Sequence, residues 1–411
     1  MAPTLKKIAG IGLHWQIFIA LGLSVPFGYF LPEGVRYVSW MGDLFLNALK
    51  MVIIPLIISS LISAITNMGT GKNLGRIGLK TLVYYLSTTL LAIVTGLILF
   101  NIIRPGSGSD LELIQDVSNL GLDTSSFRET LRNIIPVNIF ESLVKGNILS
   151  IIFFSMIFGY FITRVPGPPG RLMTDIFDAL YKVMMRITLF IIRFTPLGVF
   201  GIVSRVVSDN SGQLAGLASS MGIYMLTVLL GLIIHATVTL PLILRLIGKS
   251  NPTKHFRNVL TPLLTAFSTS SAAATLPLTM EAVENRSGVS SRITSFTLPL
   301  GATVNMDGTA LYECVAAMFI AKVYGLDLGF TAQLVVVFTS LLASIGAASV
   351  PMAGLLMISI ILSALGLPLE GVGLIIAVDR PLDMIRTAVN VWSDSTGAAV
   401  IARSEGESLL I

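Results

Sequence analysis

Apolar residues in this chain run in blocks that are long and evenly spaced. Met51–Gly71, Thr81–Ile103 and Asn210–Leu244 contain no Asp, Glu, Lys or Arg. About 20 apolar residues in a helix cross the hydrocarbon core of a bilayer, so each block predicts a span. Further spans are expected over His14–Leu31, Ile139–Thr163, Leu180–Val207 and Gly371–Ala402. The stretch Leu328–Leu367 is also free of charge. As one helix it would be about 60 Å long, roughly twice a bilayer core. It must therefore turn back, and the small, polar run Ser344–Pro351 is the expected turn.

Two segments resemble each other. Ala273-Ala274-Thr275-Leu276-Pro277-Leu278 is echoed by Ala347-Ala348-Ser349-Val350-Pro351-Met352. Each reads as a small, polar tip between apolar flanks. Paired Pro-interrupted segments of this kind point to a transporter binding site, because irregular backbone survives at membrane depth only where it is buried or lines a cavity. The alternative is two ordinary interhelical loops. Between them lies Leu298-Pro-Leu-Gly-Ala-Thr303-Val-Asn305-Met-Asp307-Gly-Thr309. In an intact helix Asn305 and Asp307 would point about 200° apart. Pro299, Gly301 and Gly308 predict local unwinding that turns both inward. Oxygens of Asn, Asp, Thr and bare carbonyls suit a small hard cation; a polar helix–helix contact is the competing reading.

The last span carries a polar stripe. At about 100° per residue, Asp379, Asp383, Arg386, Thr387, Asn390 and Asp394 share an arc of about 100°. Ionisable groups inside a span are costly and by default mark an ion or substrate path. Three carboxylates face one Arg on this stripe, so cations from elsewhere, Na⁺ or a substrate ammonium, are expected to balance them. The Arg386 fork matches a carboxylate bidentately. Asp and Arg about a turn apart would hold the amine and acidic side chain of an amino acid. An internal salt-bridge network is the alternative.

Composition agrees with the pattern. Of 411 residues, 54% are apolar and 12% charged, against about 25% charged in globular domains; mean hydropathy is +0.84. Soluble and disordered classes are excluded. One cysteine, Cys314, excludes a disulfide framework and a cysteine-based zinc site. His14, His235 and His255 show no metal-ligand spacing. The net charge of +5 is dispersed, so no nucleic-acid partner is expected. Lys6/Lys7, Lys72/Arg76/Lys80, Arg164/Arg171 and Arg245/Lys249/Lys254/Arg257 lie at alternate span ends. The positive-inside rule then places them and the N-terminus in the cytoplasm of a multi-pass cell-membrane protein. The first helix reads as uncleaved, and the polar segment Gly106–Pro136 as an outside loop.

Thr297-Leu-Pro-Leu-Gly-Ala-Thr-Val-Asn-Met-Asp-Gly-Thr-Ala-Leu-Tyr-Glu313 and Asp379-x3-Asp383-x2-Arg386-Thr387-x2-Asn390-x3-Asp394 resemble the excitatory amino-acid (glutamate/aspartate) transporters of the sodium:dicarboxylate symporter family. The likeness extends over essentially the whole chain, including Tyr84-Tyr85. It implies an all-α polytopic membrane protein with eight transmembrane helices, two re-entrant hairpins and inverted repeats. The implied divisions are 1–70 (scaffold helices 1–2), 71–136 (helix 3 and outside loop), 137–208 (scaffold helices 4–5), 209–250 (helix 6) and 251–411 (transport core). The hairpins are expected near Pro252–Glu284 and Phe330–Gly366. A homotrimer in the lipid bilayer is implied, each subunit moving L-aspartate or L-glutamate with Na⁺ by an elevator movement.

Position by position, Arg386 resembles the ligand of the substrate side-chain carboxylate and Asp383 that of its amine. Thr387, Asn390, Thr309 and backbone near Ser270, Ala272, Val350 and Gly354 resemble further substrate contacts. One sodium site would use Gly301, Asn305, Asn390 and Asp394. A second would use carbonyls of Thr303, Met306, Ser344, Ile345 and Ala347. A third would use Tyr85, Thr88, Thr89, Asn305 and Asp307. No organic cofactor is implied.

Two departures bear on these roles. The first hairpin tip, a serine run in relatives, is here Ser270-Ser271-Ala272-Ala273-Ala274. A second arginine expected at Ser270 or Met384 is missing, and Arg380, one turn away, is the candidate substitute. Glu313 matches a glutamate associated with proton coupling in vertebrate members. A carboxyl away from water favours its neutral form; pairing of Glu313 with Arg380 or Lys322 is the alternative. A C4-dicarboxylate carrier would not need Asp383, and a neutral amino-acid carrier would not need Arg386. An intramembrane enzyme lacks support, with no His-Glu-x-x-His and no His near a candidate nucleophile. A channel is disfavoured by hairpin tips that must move.

Overall fold

The computed structural model describes residues 13–68, 74–106, 135–209, 211–212, 214–346 and 353–411, and the described residues form helices without strands. The helices that matter here are α1 (Leu13–Phe30), α2 (Ser39–Met68), α3 (Leu74–Ile103), α4 (Ile148–Ile162), α5 (Pro168–Ile192), α6 (Thr195–Asp209), α7 (Leu214–Ile234) and α8 (Leu240–Leu246). They are followed by α9 (Leu260–Thr269), α10 (Ala272–Asn285), α11 (Ser291–Val304), α12 (Asp307–Val323), α13 (Phe330–Gly346), α14 (Ala353–Ala364) and α15 (Val372–Ser404). Segments Pro32–Thr66, Arg76–Ile103 and Ala218–Leu246 are each long and apolar enough to cross a membrane. The expected single span over Leu180–Val207 is instead two helices, α5 and α6, bent by 53°. Pro196 accounts for the break, since it has no N–H to continue the α5 hydrogen-bond ladder.

Two groups of helices pack mainly within themselves, with α6 of the first also meeting α15 of the second. In one, α1, α2, α4, α5 and α6 pack on each other, α6 lying along α1 and α2. Glycines set that crossing: a Cβ on Gly201 would come within 2.7 Å of Gly42 N and 2.9 Å of the Val38 carbonyl. In the other group α3 lies along α12, and α9, α10, α11 and α12 surround α15. Helix α12 is buried on almost every side, so it is the axis of this body. Between the groups lies a cavity of about 350 Å³, lined by Ser60, Ser63 and Tyr181 on one side and Pro299, Thr303 and Ile345 on the other.

The two expected hairpins are present as α9–α10 and α13–α14. Hairpin 1 exposes Leu260, Leu264 and Phe267. Hairpin 2 buries Leu355, Ile358 and Ile361, and α14 touches α2 and α4 of the first group. The sequence repeat is corrected in one respect. The hairpin 1 tip is Ser270-Ser271, with Ser270 in the left-handed region at φ 51° and Ser271 accepting from Ala274 N. Ala273–Leu278 lies in the helix after the tip, Pro277 included. The second copy, Ala347–Met352, falls outside the described residues, as does most of the polar segment from residue 107 to 134.

The chain end ties the second group together. Glu405 pairs with Arg76 at 2.5 Å and Lys80 at 2.6 Å. Hydrogen bonds from those two cations hold its carboxyl down at about 2, so the clamp stays ionised throughout the neutral range. Glu407 accepts from the Ser290 amide and hydroxyl, and Leu410 N donates to the Ser287 carbonyl.

Candidate functional site

The broken helix forms where expected but is shorter than expected. Helix α11 continues through Pro299 and Gly301 and ends at Val304; only Asn305 and Met306 are non-helical before α12 begins at Asp307. The break leaves N–H groups of α12 without an intrahelical partner. One is satisfied from α15: Gly308 N donates to Asn390 Oδ1 at 2.8 Å, while Asn390 Nδ2 donates to Thr309 Oγ1 at 3.1 Å. Asp307 sits at the helix N-terminus, where the dipole favours negative charge.

Around that break, oxygens converge. Thr89 donates to Asp307 Oδ1 at 2.6 Å and Ser393 to Oδ2 at 2.6 Å. Asn305 Nδ2 reaches Asp394 Oδ1 at 2.9 Å and Ser393 Oγ at 3.0 Å. The Thr88 hydroxyl has three acceptors in reach: the Tyr85 carbonyl at 3.2 Å, and Asn305 Oδ1 and Asp307 Oδ1 at 3.3 Å each. A hydroxyl carries one proton, so it serves one of these oxygens at a time, while Asp307 Oδ1 also accepts from Thr89. A cation would satisfy the cluster. Gly301 borders it closely, since a Cβ there would lie 2.4 Å from Asp394 Oδ1 and 2.6 Å from the Tyr85 hydroxyl. Tyr85 itself donates to the Thr297 carbonyl at 2.7 Å.

The other half of the stripe is a chain of alternating charges. Arg386 reaches Asp379 Oδ1 at 3.1 Å through Nη1, and Asp383 Oδ1 at 2.8 Å through Nη2. Arg380 Nη1 lies 3.2 Å from Asp383 Oδ2. Tyr312 donates to Asp379 at 2.6 Å, and its ring lies 4.1 Å from the Arg386 guanidinium carbon. Gly354 of hairpin 2 lies against the same guanidinium, where a Cβ would approach to 2.6 Å. Thr387 Oγ1 returns to the Asp383 carbonyl at 2.7 Å.

This geometry corrects the charge balance drawn from the sequence. Arg380 joins the stripe, so Asp379, Asp383, Arg386 and Arg380 sum to zero. Around the broken helix, Asp307 and Asp394, both buried, have no Arg or Lys partner among the described residues. His235 Nε2 stands 3.0 Å from Asp307 Oδ2, a partner without any spacing signal. It sits in a π turn, His235–Thr239. Pro241 supplies no N–H for the Ala236 carbonyl, which accepts instead from Trp392 Nε1 at 3.0 Å. Glu313 is fully buried and neither oxygen has a hydrogen-bond partner among the described residues. Its expected alternative partners are engaged elsewhere: Lys322 with Asp327 at 2.5 Å and Arg380 with Asp383.

The remaining expected positions are dispersed. Ser270 is buried with its hydroxyl unpartnered among the described residues, and Ala272 is buried beside it. Thr303 and Ile345 line the same side of the 350 Å³ cavity. Met306 and Ser344 are buried, Ser344 bonding back to the Leu341 carbonyl. Ala347 and Val350 lie outside the described residues. Tyr312, Ser393 and His235, to which the sequence assigns no role, belong to the constellation, and Asp379 of the polar stripe joins it through Arg386.

The profile of the sodium:dicarboxylate symporter family matches residues 13–404. The chain belongs to the sodium:dicarboxylate symporter family. The family is one of symporters, so the chain is a transporter rather than an enzyme. A proton/sodium-glutamate symport protein of Geobacillus stearothermophilus is 36% identical, covering 97% of this chain and 95% of its own length. An excitatory amino acid transporter of Caenorhabditis elegans is 35% identical over 93% of this chain and 84% of its own. Excitatory amino acid transporter 2 of Homo sapiens is 35% identical over 90% and 74% respectively. The symporter family thus spans both the broken helix and the charged stripe described above.

Proposed function

We propose that this protein is a secondary active symporter that couples Na⁺ entry to uptake of L-aspartate or L-glutamate. One observation carries the reading: a charge-neutral arginine–aspartate chain adjoins an oxygen cluster with uncompensated negative charge. The first suits a zwitterion with an extra carboxylate, and the second suits alkali cations. On arrival the substrate side-chain carboxylate takes Arg386 from Asp383, and its ammonium takes the released Asp383. Asn390, Thr309, Thr387, Gly354 and the Ser270–Ala272 tip border the rest of the ligand, with Val350 expected from the undescribed tip. Na⁺ would occupy the Tyr85/Thr88/Thr89/Asn305/Asp307 cluster, the Gly301/Asn305/Asn390/Asp394 group, and carbonyls near Thr303, Met306, Ser344, Ile345 and Ala347.

The segregation of two packing groups supports an elevator movement of the 251–411 core, with α3, against a scaffold. Hairpin 1 is uncovered while hairpin 2 is held against the scaffold. With basic loops and the N-terminus in the cytoplasm, this arrangement is the one facing inward. Arg171, Asp175, Lys182 and Arg186 are exposed on one face of α5, within about 60°. Charge inside a span avoids lipid, which supports burial of this face between copies in a homotrimer.

The test is uptake into liposomes. Labelled aspartate and glutamate should accumulate only with an inward Na⁺ gradient, and accumulation without Na⁺ would overturn the coupling. Glu313, buried without a partner among the described residues, favours a proton as an additional passenger. Glu313→Gln should then flatten the pH dependence of uptake while leaving Na⁺ dependence in place, and an unchanged pH profile would remove the proton.

A further inference from the structure

We propose that Arg380 sets the charge selectivity of the substrate site, favouring anionic amino acids over their neutral isosteres. The proposal rests on the acidic-substrate reading of that site and gives a specific role to Arg380, so far only a candidate substitute for a missing second arginine.

Asp383 is held from two sides. Its Oδ1 accepts from Arg386 Nε at 3.1 Å and Nη2 at 2.8 Å, and its Oδ2 from Arg380 Nη1 at 3.2 Å. The two arginines differ in setting. The Arg386 side chain is 1% exposed and reaches both Asp379 and Asp383, whereas that of Arg380 is 16% exposed and has Asp383 as its ionic partner. The remaining Arg380 N–H groups meet no acceptor among the described residues. Arg380 is therefore the outer end of the chain Asp379–Arg386–Asp383–Arg380.

Charge counting gives its consequence. With Arg380 the four groups are neutral; without it they carry one negative charge. An acidic amino acid brings a net charge of −1, and its isosteric amide brings none. A host of charge −1 in a poorly screened site repels the first and is indifferent to the second. The buried Glu and Asp neighbours do not alter the difference: Asp379 is paired with Arg386, and Glu313 is present in both cases. Arg380 also keeps Asp383 Oδ2 occupied. The substrate ammonium is thus directed to Oδ1, the oxygen that Arg386 vacates when it takes the side-chain carboxylate.

The experiment compares the wild type, Arg380→Gln and Arg380→Lys in liposomes under a saturating Na⁺ gradient. Uptake of labelled aspartate is competed with unlabelled aspartate or asparagine. Arg380→Gln should cut the preference for aspartate over asparagine about tenfold, through a higher KM for aspartate with the maximal rate held within about twofold. Arg380→Lys, which restores the charge, should recover most of the preference. An unchanged preference in Arg380→Gln, or equal losses for both ligands, would overturn the proposal, as would a Lys variant no better than Gln. A wild type that fails to take up aspartate would instead remove the acidic-substrate reading beneath it.

Discussion

Arg386→Ala should abolish uptake of aspartate and glutamate. The guanidinium holds Asp379 and Asp383 together and lies on the Tyr312 ring. Removing one partner of a buried pair costs about 3–5 kcal/mol, because it leaves a charge uncompensated. The same change removes the carboxylate fork. A loss of at least about a hundredfold in acidic uptake is expected, since about 1.4 kcal/mol is a factor of ten. Binding of a neutral amino acid in the presence of Na⁺ should stay detectable, which separates the loss from misfolding. Arg386→Lys keeps the charge but not the fork, and should recover little. Undiminished acidic uptake by the Ala variant would refute the carboxylate assignment.

Asp394→Asn should raise the Na⁺ concentration for half-maximal uptake by about tenfold or more, about 1.4 kcal/mol at one site. The asparagine keeps the size of the side chain and an oxygen within reach of Asn305 Nδ2. It removes one of the two carboxylates that the buried cluster leaves unbalanced. The change therefore tests charge rather than packing. At saturating Na⁺ the KM for aspartate should move little. A Na⁺ titration that overlays the wild type would take Asp394 out of the ion path.

Much of the site was legible because helical geometry is strict. One arc of α15 collects Asp379, Asp383, Arg386, Thr387, Asn390 and Asp394, and the helix runs unbroken through Pro381 from Val372 to Ser404. The second hairpin followed from length alone, as an uncharged stretch too long for one span, whereas the first was expected only from the repeat and the family resemblance. The break at Asn305–Met306 was marked by two polar residues that one helix face could not hide. What stayed hidden depends on tertiary contact. His235 meets Asp307 from a helix far away in sequence, in a π turn that no hydrophobic period reports. Arg380 lies off the polar arc, so its pairing with Asp383 through a long flexible side chain was not visible as charge compensation. The repeat misplaced the first tip because Pro277 was read as a breaker, whereas it sits inside α10.

The hollow between Ser60, Ser63 and Tyr181 and the opposing Pro299, Thr303 and Ile345 has a mechanical meaning. Close-packed surfaces interlock, and sliding one over the other breaks many small dispersion contacts at once. A seam left partly unfilled and edged by short hydroxyl side chains has fewer such teeth to disengage. In the proposed elevator movement, loose fit at this seam would act as a bearing.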